Sequence, residues 1–165
     1  MSDDVDSSSR VERYWQQFLS SLDPDQPAPS RFVDAFFFGT KPDSAHEITT
    51  LVLDGTKTAT GALLWALEVD GEKAAEPGDY WVVTNGGDDP ACIVETTDAQ
   101  VIAFEDVGED YAWWGGEQDR TLESWRAMYW SYIVGECRRL GRDPDPRAPL
   151  VMERIRVVYA EPPAG

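Results

Sequence analysis

Apolar side chains recur at three- and four-residue intervals early in the chain, at Val11, Tyr14, Trp15, Phe18, Leu19 and Leu22. That spacing gathers them on one face of an amphipathic helix, which must pack on the rest of the domain. Ahead of it, Met1 to Arg10 is acidic and serine-rich and reads as a disordered tail. Behind it, Asp23 to Ser30 carries Pro24, Pro27 and Pro29 and reads as an extended connector. Ser44 and Glu47 have capping-box spacing and open a second helix with Ile48, Leu51 and Val52 inward. Gly55 falls where a left-handed residue would stop that helix and turn the chain sharply.

Strand signals follow. Ala62 to Leu67 and Tyr80 to Thr84 read as strands, and Asn85 to Pro90 is a turn leading into a return strand from Ala91 to Thr97. Val101 to Phe104 reads as another. Thr121 or Asp119 caps a long helix whose stripe is Leu122, Trp125, Tyr129 and Tyr132 or Ile133, ending at Gly141. Val151, Ile155, Val157 and Tyr159 alternate along a final strand, with Glu153 on the same inward parity. The order of elements is α+β, a small mixed barrel flanked by helices, with the N-terminal amphipathic helix as an extra. The domain itself runs over 31–160, after the helix and connector of 11–30, and 161–165 reads as a mobile tail.

Composition narrows the classes. At 165 residues the chain is long enough for one domain with a proper core, and 42% hydrophobic residues with seven tryptophans argue against disorder. Its apolar runs are too short to cross a bilayer, and Met1-Ser2-Asp3-Asp4 does not resemble the start of a signal peptide. Cys92 and Cys137 lack metal spacing and read as buried thiols kept reduced in a cytoplasmic protein. A single histidine, His46, excludes zinc sites built on several histidines and reads as structural. No Walker A loop and no Gly-x-Gly-x-x-Gly is present, so no metal or organic cofactor is expected.

The net charge is −17, from 14 basic and 31 acidic residues. Such a surface repels long polyanions but leaves room for a nucleoside or short ligand in a local basic pocket. Only three lysines occur, Lys41, Lys57 and Lys73, and one lies in Gly55-Thr56-Lys57-Thr58-Ala59-Thr60. The threonine hydroxyls and free N–H groups of this turn suit an anion, a nucleobase carbonyl or a scissile amide. Lys57 and Thr60 are close enough for amine to reach hydroxyl. Desolvated, Lys57 would accept the Thr60 proton and activate a nucleophile; charged, it would steady an oxyanion.

Further blocks accompany this motif: Phe36-Phe37-Phe38-Gly39, Pro77-Gly78-Asp79-Tyr80-Trp81, Cys92-Ile93-Val94-Glu95, Gly116-Glu117-Gln118-Asp119-Arg120 and Met152-Glu153-Arg154-Ile155. Their order over Phe36 to Tyr159 resembles the ASCH family, which implies a PUA-like β-barrel and an RNA- or nucleoside-related role. Some members of that family are amidohydrolases of acylated cytidines and others are reported as ribonucleases. Carried over residue by residue, the resemblance implies Lys57, Thr60 and Glu117 as catalytic residues. Around them, Gly55 and Thr58 of the turn are expected ligand-binding residues, and Tyr80, like Trp113 and Trp114, is either core or a base-stacking ring. Glu95 faces either cleft or solvent, and Arg120 and Arg154 either pair with Glu117 and Glu153 or bind a phosphate. The candidate partners are a modified nucleoside or short RNA, with neither membrane nor metal. The open alternatives are hydrolysis of N4-acetylcytidine-type nucleosides, RNA binding without catalysis, and cleavage of single-stranded RNA.

Overall fold

The computed structural model describes residues 2–26, 29, 31–39, 42–87 and 89–164. Helix α1 spans Ser2–Ser21, strand β1 Arg31–Phe36 and helix α2 Pro42–Leu53. Strand β2, Ala59–Leu63, runs directly into helix α3, Leu64–Asp70. Strands β3, Asp79–Thr84, and β4, Pro90–Ala103, precede a single 3-10 turn at Phe104–Asp106. Helices α4, Glu109–Gly115, and α5, Leu122–Leu140, lead to strand β5, Pro149–Tyr159. The strands form one sheet in the order β1-β3-β4-β5-β2. β1 runs parallel to β3, whereas β3 with β4 and β2 with β5 are antiparallel. Among the described residues no pairing joins β1 to β2, so the expected barrel is instead an open mixed sheet.

The chain forms two compact units, one from 1–55, 78–95 and 156–165, the other from 56–77 and 96–155. In the first, Tyr14, Trp15 and Phe18 of α1 pack with Val82 and Ile93, and Trp15 lies 5.0 Å from Phe32 between ring centroids. This is the face the helical spacing predicts. α1 nevertheless begins at Ser2, not Val11, because once a packed segment nucleates a helix each further turn adds cheaply. The C-terminal segment is not loose either. Tyr14 donates to the Glu161 carbonyl at 2.7 Å, Gln17 donates to the Pro162 carbonyl at 2.9 Å, and the Ala164 amide donates to Gln17 Oε1 at 2.7 Å. The predicted connector opens as a turn, with Gln26 N–H donating to Asp23 O; Pro27 and Ser30 lie outside the described residues.

In α2, Ala45, Thr49 and Val52 are the buried positions. The helix opens at Pro42 rather than at Ser44, since a proline at the first helical position has no N–H to leave unsatisfied. In the second unit, α5 presents Trp125, Tyr129, Ile133 and Cys137 to a core shared with Leu63, Phe104, Tyr111, Leu150 and Met152. Ala62 to Leu67 is not a strand throughout. Leu64-Trp65-Ala66-Leu67-Glu68 are good helix formers, and Gly71 at φ 68° caps α3, whereas the strand lies earlier, over β2. Val101 to Ala103 continues β4 rather than forming a strand of its own. Leu150, Val151 and Met152 are buried in succession because β5 is an interior strand covered on both faces.

Burial raises the pKa of the Tyr14 phenol above its ordinary 10.0. The unfolded chain therefore gives up that proton first, and this contribution to stability is lost as pH climbs above about 10. Tyr14→Phe should cost about 1 kcal/mol at neutral pH, the value of one hydrogen bond, and flatten the alkaline loss. Urea midpoints at pH 7 and 10.5 test this, and an unchanged alkaline slope would refute it.

Candidate functional site

Gly55, at φ 84°, takes the left-handed conformation that releases the chain from α2. The next turn lies in the second unit and is pinned on both sides. Thr58 N–H donates to Trp114 O at 2.7 Å, and Thr58 O accepts from Ile155 N–H at 2.9 Å. Lys57 is thereby drawn inside and is only 3% exposed. Its ammonium donates to Gly115 O at 3.2 Å and to Glu117 Oε2 at 3.1 Å. The Gly115 carbonyl is available because α4 ends there, leaving its last carbonyls without helical partners.

Gly116 makes the approach possible. At φ 70°, it caps α4, and a Cβ added there would lie 2.6 Å from Thr56 O and 2.9 Å from Lys57 Cα. Only glycine fits both the backbone angle and the gap. Gln118 at φ 55° and Arg120 at φ 64° are also left-handed, an unfavourable conformation for residues with side chains. The segment is held by the Arg120 amide donating to Glu117 O and by Thr121, the N-cap of α5, which accepts from Ser124 N–H. Asp119 accepts from Thr121 and Ser124 rather than capping directly, and these bonds lower its carboxyl to about 2.

Burial lowers the Lys57 pKa from its ordinary 10.5, and Glu117, followed by Glu153, pulls it part of the way back. The Glu117 side chain keeps 17% of its surface in solvent, so the pair has a buried cation and a carboxylate at its open end. Thr60 lies on β2, opposite Glu153 on β5. Its hydroxyl is hydrogen-bonded to the phenol of Tyr129, whose proton is held above the usual range first by burial and then by the charge of Glu117. Tyr129 is in turn stacked on Trp125 at 4.3 Å.

Of the two alternatives for Arg120 and Arg154, pairing with Glu117 and Glu153 is not the one the geometry takes. Arg120 donates to Trp113 O at 2.9 Å and Thr56 O at 3.3 Å, and its guanidinium stacks 3.6 Å from the Trp113 ring centroid. Arg154 donates to Thr58 O and Thr58 Oγ1, and stacks 3.7 Å from the Trp114 ring. Both bond carbonyls of the Thr56–Thr58 turn because that turn presents its oxygens to them. Of the remaining predicted residues, Tyr80 and Glu95 belong to the first unit, where Tyr80 donates to Glu95 at 2.9 Å and Arg156 pairs with the same carboxylate. The Tyr80 ring packs between Trp15 and Phe18, which makes it a core residue. His46 is exposed on α2.

Sequence reasoning did not assign Tyr129, Gly115 or Gly116 to the site. Tyr129 carries the helical spacing of a core residue, which it also is; the Gly115-Gly116 pair was the visible signal. Among the described residues no cluster of His, Cys, Asp and Glu is placed to hold a metal ion, and no helix is long and apolar enough to cross a membrane.

A family model described as the ASCH domain matches residues 34–159 of this sequence. The chain belongs to the ASCH domain family. This is an RNA-binding-related family, and its fold is PUA-like, here with the open sheet described above. The crystal structure of an ASCH domain from Lactobacillus crispatus JV V101 is similar at 30% identity and a TM-score of 0.82, covering 92% of this chain and 95% of that one. Protein EF3133 from Enterococcus faecalis V583 is similar at 25% identity and a TM-score of 0.78, covering 92% and 90%. Among curated proteins, none matches this ASCH chain.

Glu117→Ala should destabilise the domain by about 1–3 kcal/mol at pH 7, since it strips a buried ammonium of its carboxylate. The Lys57 pKa then drops further, the unfolded chain binds more protons up to pH 10.5, and the deficit narrows as pH rises. Equal deficits at pH 7 and pH 10 would refute this account. Gly116→Ala should cost about 1–3 kcal/mol from the backbone angle alone, with the clash against Thr56 adding to it; chemical denaturation reads the loss.

Proposed function

We propose that this ASCH protein hydrolyses the exocyclic amide of N4-acylated cytidine-type nucleosides, with Thr60 as nucleophile, Lys57 as its base and Glu117 as the second acid–base group. One observation carries the reading: a fully buried amine with a lowered pKa, ion-paired with a carboxylate that keeps contact with solvent. Perturbation of this kind is characteristic of groups poised to move protons.

The chemistry balances as follows. Neutral Lys57 accepts the Thr60 proton while Thr60 Oγ bonds to the acyl carbon. The resulting ammonium returns that proton to N4 as the C–N bond breaks, releasing cytidine and leaving an acyl ester on Thr60. Water then attacks the ester with Glu117 taking a proton, and the carboxylic acid departs as Thr60 is restored. Tyr129, bonded to the Thr60 hydroxyl, fixes its rotamer for attack. The buried thiols Cys92 and Cys137 suit a cytoplasmic setting.

A second reading is favoured by the arginine–tryptophan stacks beside the Thr56–Thr58 turn, Arg120 on Trp113 and Arg154 on Trp114, which also suit an RNA reader without turnover. The net charge of −17 weighs against tight binding of long RNA in that reading, as it does against RNA cleavage.

Incubation with N4-acetylcytidine should release cytidine and acetate, with kcat rising with pH to a plateau as Lys57 loses its proton. Thr60→Ser should keep part of the rate. Thr60→Val should lose about a thousandfold or more, and Lys57→Met, which preserves side-chain bulk, about 10² to 10⁴-fold. A Thr60→Val variant retaining more than about a tenth of the rate would remove Thr60 from the nucleophile role. Binding without any turnover would leave the reader as the function.

A further inference from the structure

Several arginines of this acidic chain are held by ion pairs and others by carbonyls and indole faces. Arg139 pairs with Asp70 and Glu136, Arg147 with Glu105 and Asp106, and Arg156 with Glu95. Arg120 has no carboxylate partner among the described residues. It spends its Nε and one Nη2 N–H on the carbonyls of Trp113 and Thr56, and its other guanidinium N–H groups remain for a ligand.

Those two bonds orient the guanidinium flat over the Trp113 ring, 3.6 Å from its centroid. Trp113 is nonetheless 58% exposed, so with one face under Arg120 the ring still presents a wide surface to solvent. Of the two exposed aromatic rings among the described residues, Phe37 at 43% and Trp113, only Trp113 has an arginine stacked on it. The platform costs backbone strain, since Arg120 is held at φ 64°. It is also continuous with the candidate site: Glu117 lies between Trp113 and Arg120 in sequence, and Thr56, which Arg120 touches, adjoins Lys57.

We infer that Trp113 and Arg120 form a recognition platform for a nucleobase with an attached phosphate, so that the preferred ligand is a nucleotide or the end of a short single-stranded oligonucleotide, not a free nucleoside. Resting on the reading of this site as a nucleoside cleft, the inference names the form of the ligand. The exposed ring stacks a base, and the free N–H groups of Arg120 take phosphate oxygens. The surrounding acidity admits one phosphate met by an arginine but penalises a long chain of them.

Calorimetric titration of the full chain with cytidine, cytidine 5′-monophosphate, a cytidine trinucleotide and inorganic phosphate tests it. The monophosphate should bind at least about tenfold more tightly than cytidine in 50 mM salt, and the advantage should shrink in 500 mM salt while cytidine is unaffected. Trp113→Ala, at an exposed position, should weaken the monophosphate by about 5- to 100-fold. Arg120→Gln should bring monophosphate affinity down to that of cytidine. A trinucleotide tighter than the monophosphate identifies an oligonucleotide end as the source of the phosphate; the reverse identifies a free nucleotide. Equal binding of cytidine and monophosphate, no binding of either, or a Trp113→Ala variant with wild-type affinity would overturn the platform. Turnover of N4-acetylcytidine without a phosphate preference sinks the platform alone, and a phosphate preference without turnover sinks only the deacylase.

Discussion

An ammonium ion taken out of water must be met by oxygen, and the local structure of the second unit answers to that demand at Lys57. Desolvating such a group costs several kcal/mol. Glu117 and the Gly115 carbonyl offset the cost, and each requires a particular backbone path. α4 must end at Gly115 to free its carbonyl, and Gly116 must be left-handed and side-chain-free for the Thr56–Lys57 backbone to pass. The chain must then bend through left-handed Gln118 and Arg120 before α5 begins. An apolar side chain of similar volume would serve stability as well as a buried ion pair does. The strain accompanies a buried amine held next to a solvent-touching carboxylate.

The cations around the turn are held in two different ways, Lys57 by a carboxylate and the arginines by carbonyls. The chain is strongly acidic, yet the turn that carries Lys57 is contacted by Arg120 at Thr56 and by Arg154 at Thr58. The arginines are oriented by carbonyls and indole faces, not by carboxylates, and their charges are left less compensated than those of arginines in ion pairs. Two cations are thereby held side by side with the turn in a chain whose net charge is −17.

Much of this was legible in the sequence, and the gaps have physical causes. Periodicity exposed the packed face of α1 and most of the α5 stripe because both helices bury a single face. The boundary between β2 and α3 was missed since a short apolar run satisfies either period when both strand and helix are buried. α4 was missed because seven residues are too few to show a repeat. The parity argument for β5 was blunted because an interior strand buries consecutive residues. The Lys57–Glu117 pairing came from the family resemblance, as 60 residues separate the two and no local pattern links them. The arginine stacks were beyond reach: in so acidic a chain, carboxylates are the expected partners, and only geometry reveals that carbonyls and indoles were chosen instead.

The first unit is drawn from three separate stretches of chain, and α1 is bonded to residues 161–164. β1, likewise, waits for β3, its parallel neighbour more than 40 residues downstream. Segments far apart in sequence thus complete one another within this unit. The helix bearing Trp15 and Phe18 finds its cover at Val82 and Ile93, and then at Tyr159, so these contacts close long loops. Loop-closure entropy must be met before such contacts contribute, so the topology of this unit bears on its folding rate more than on its final stability.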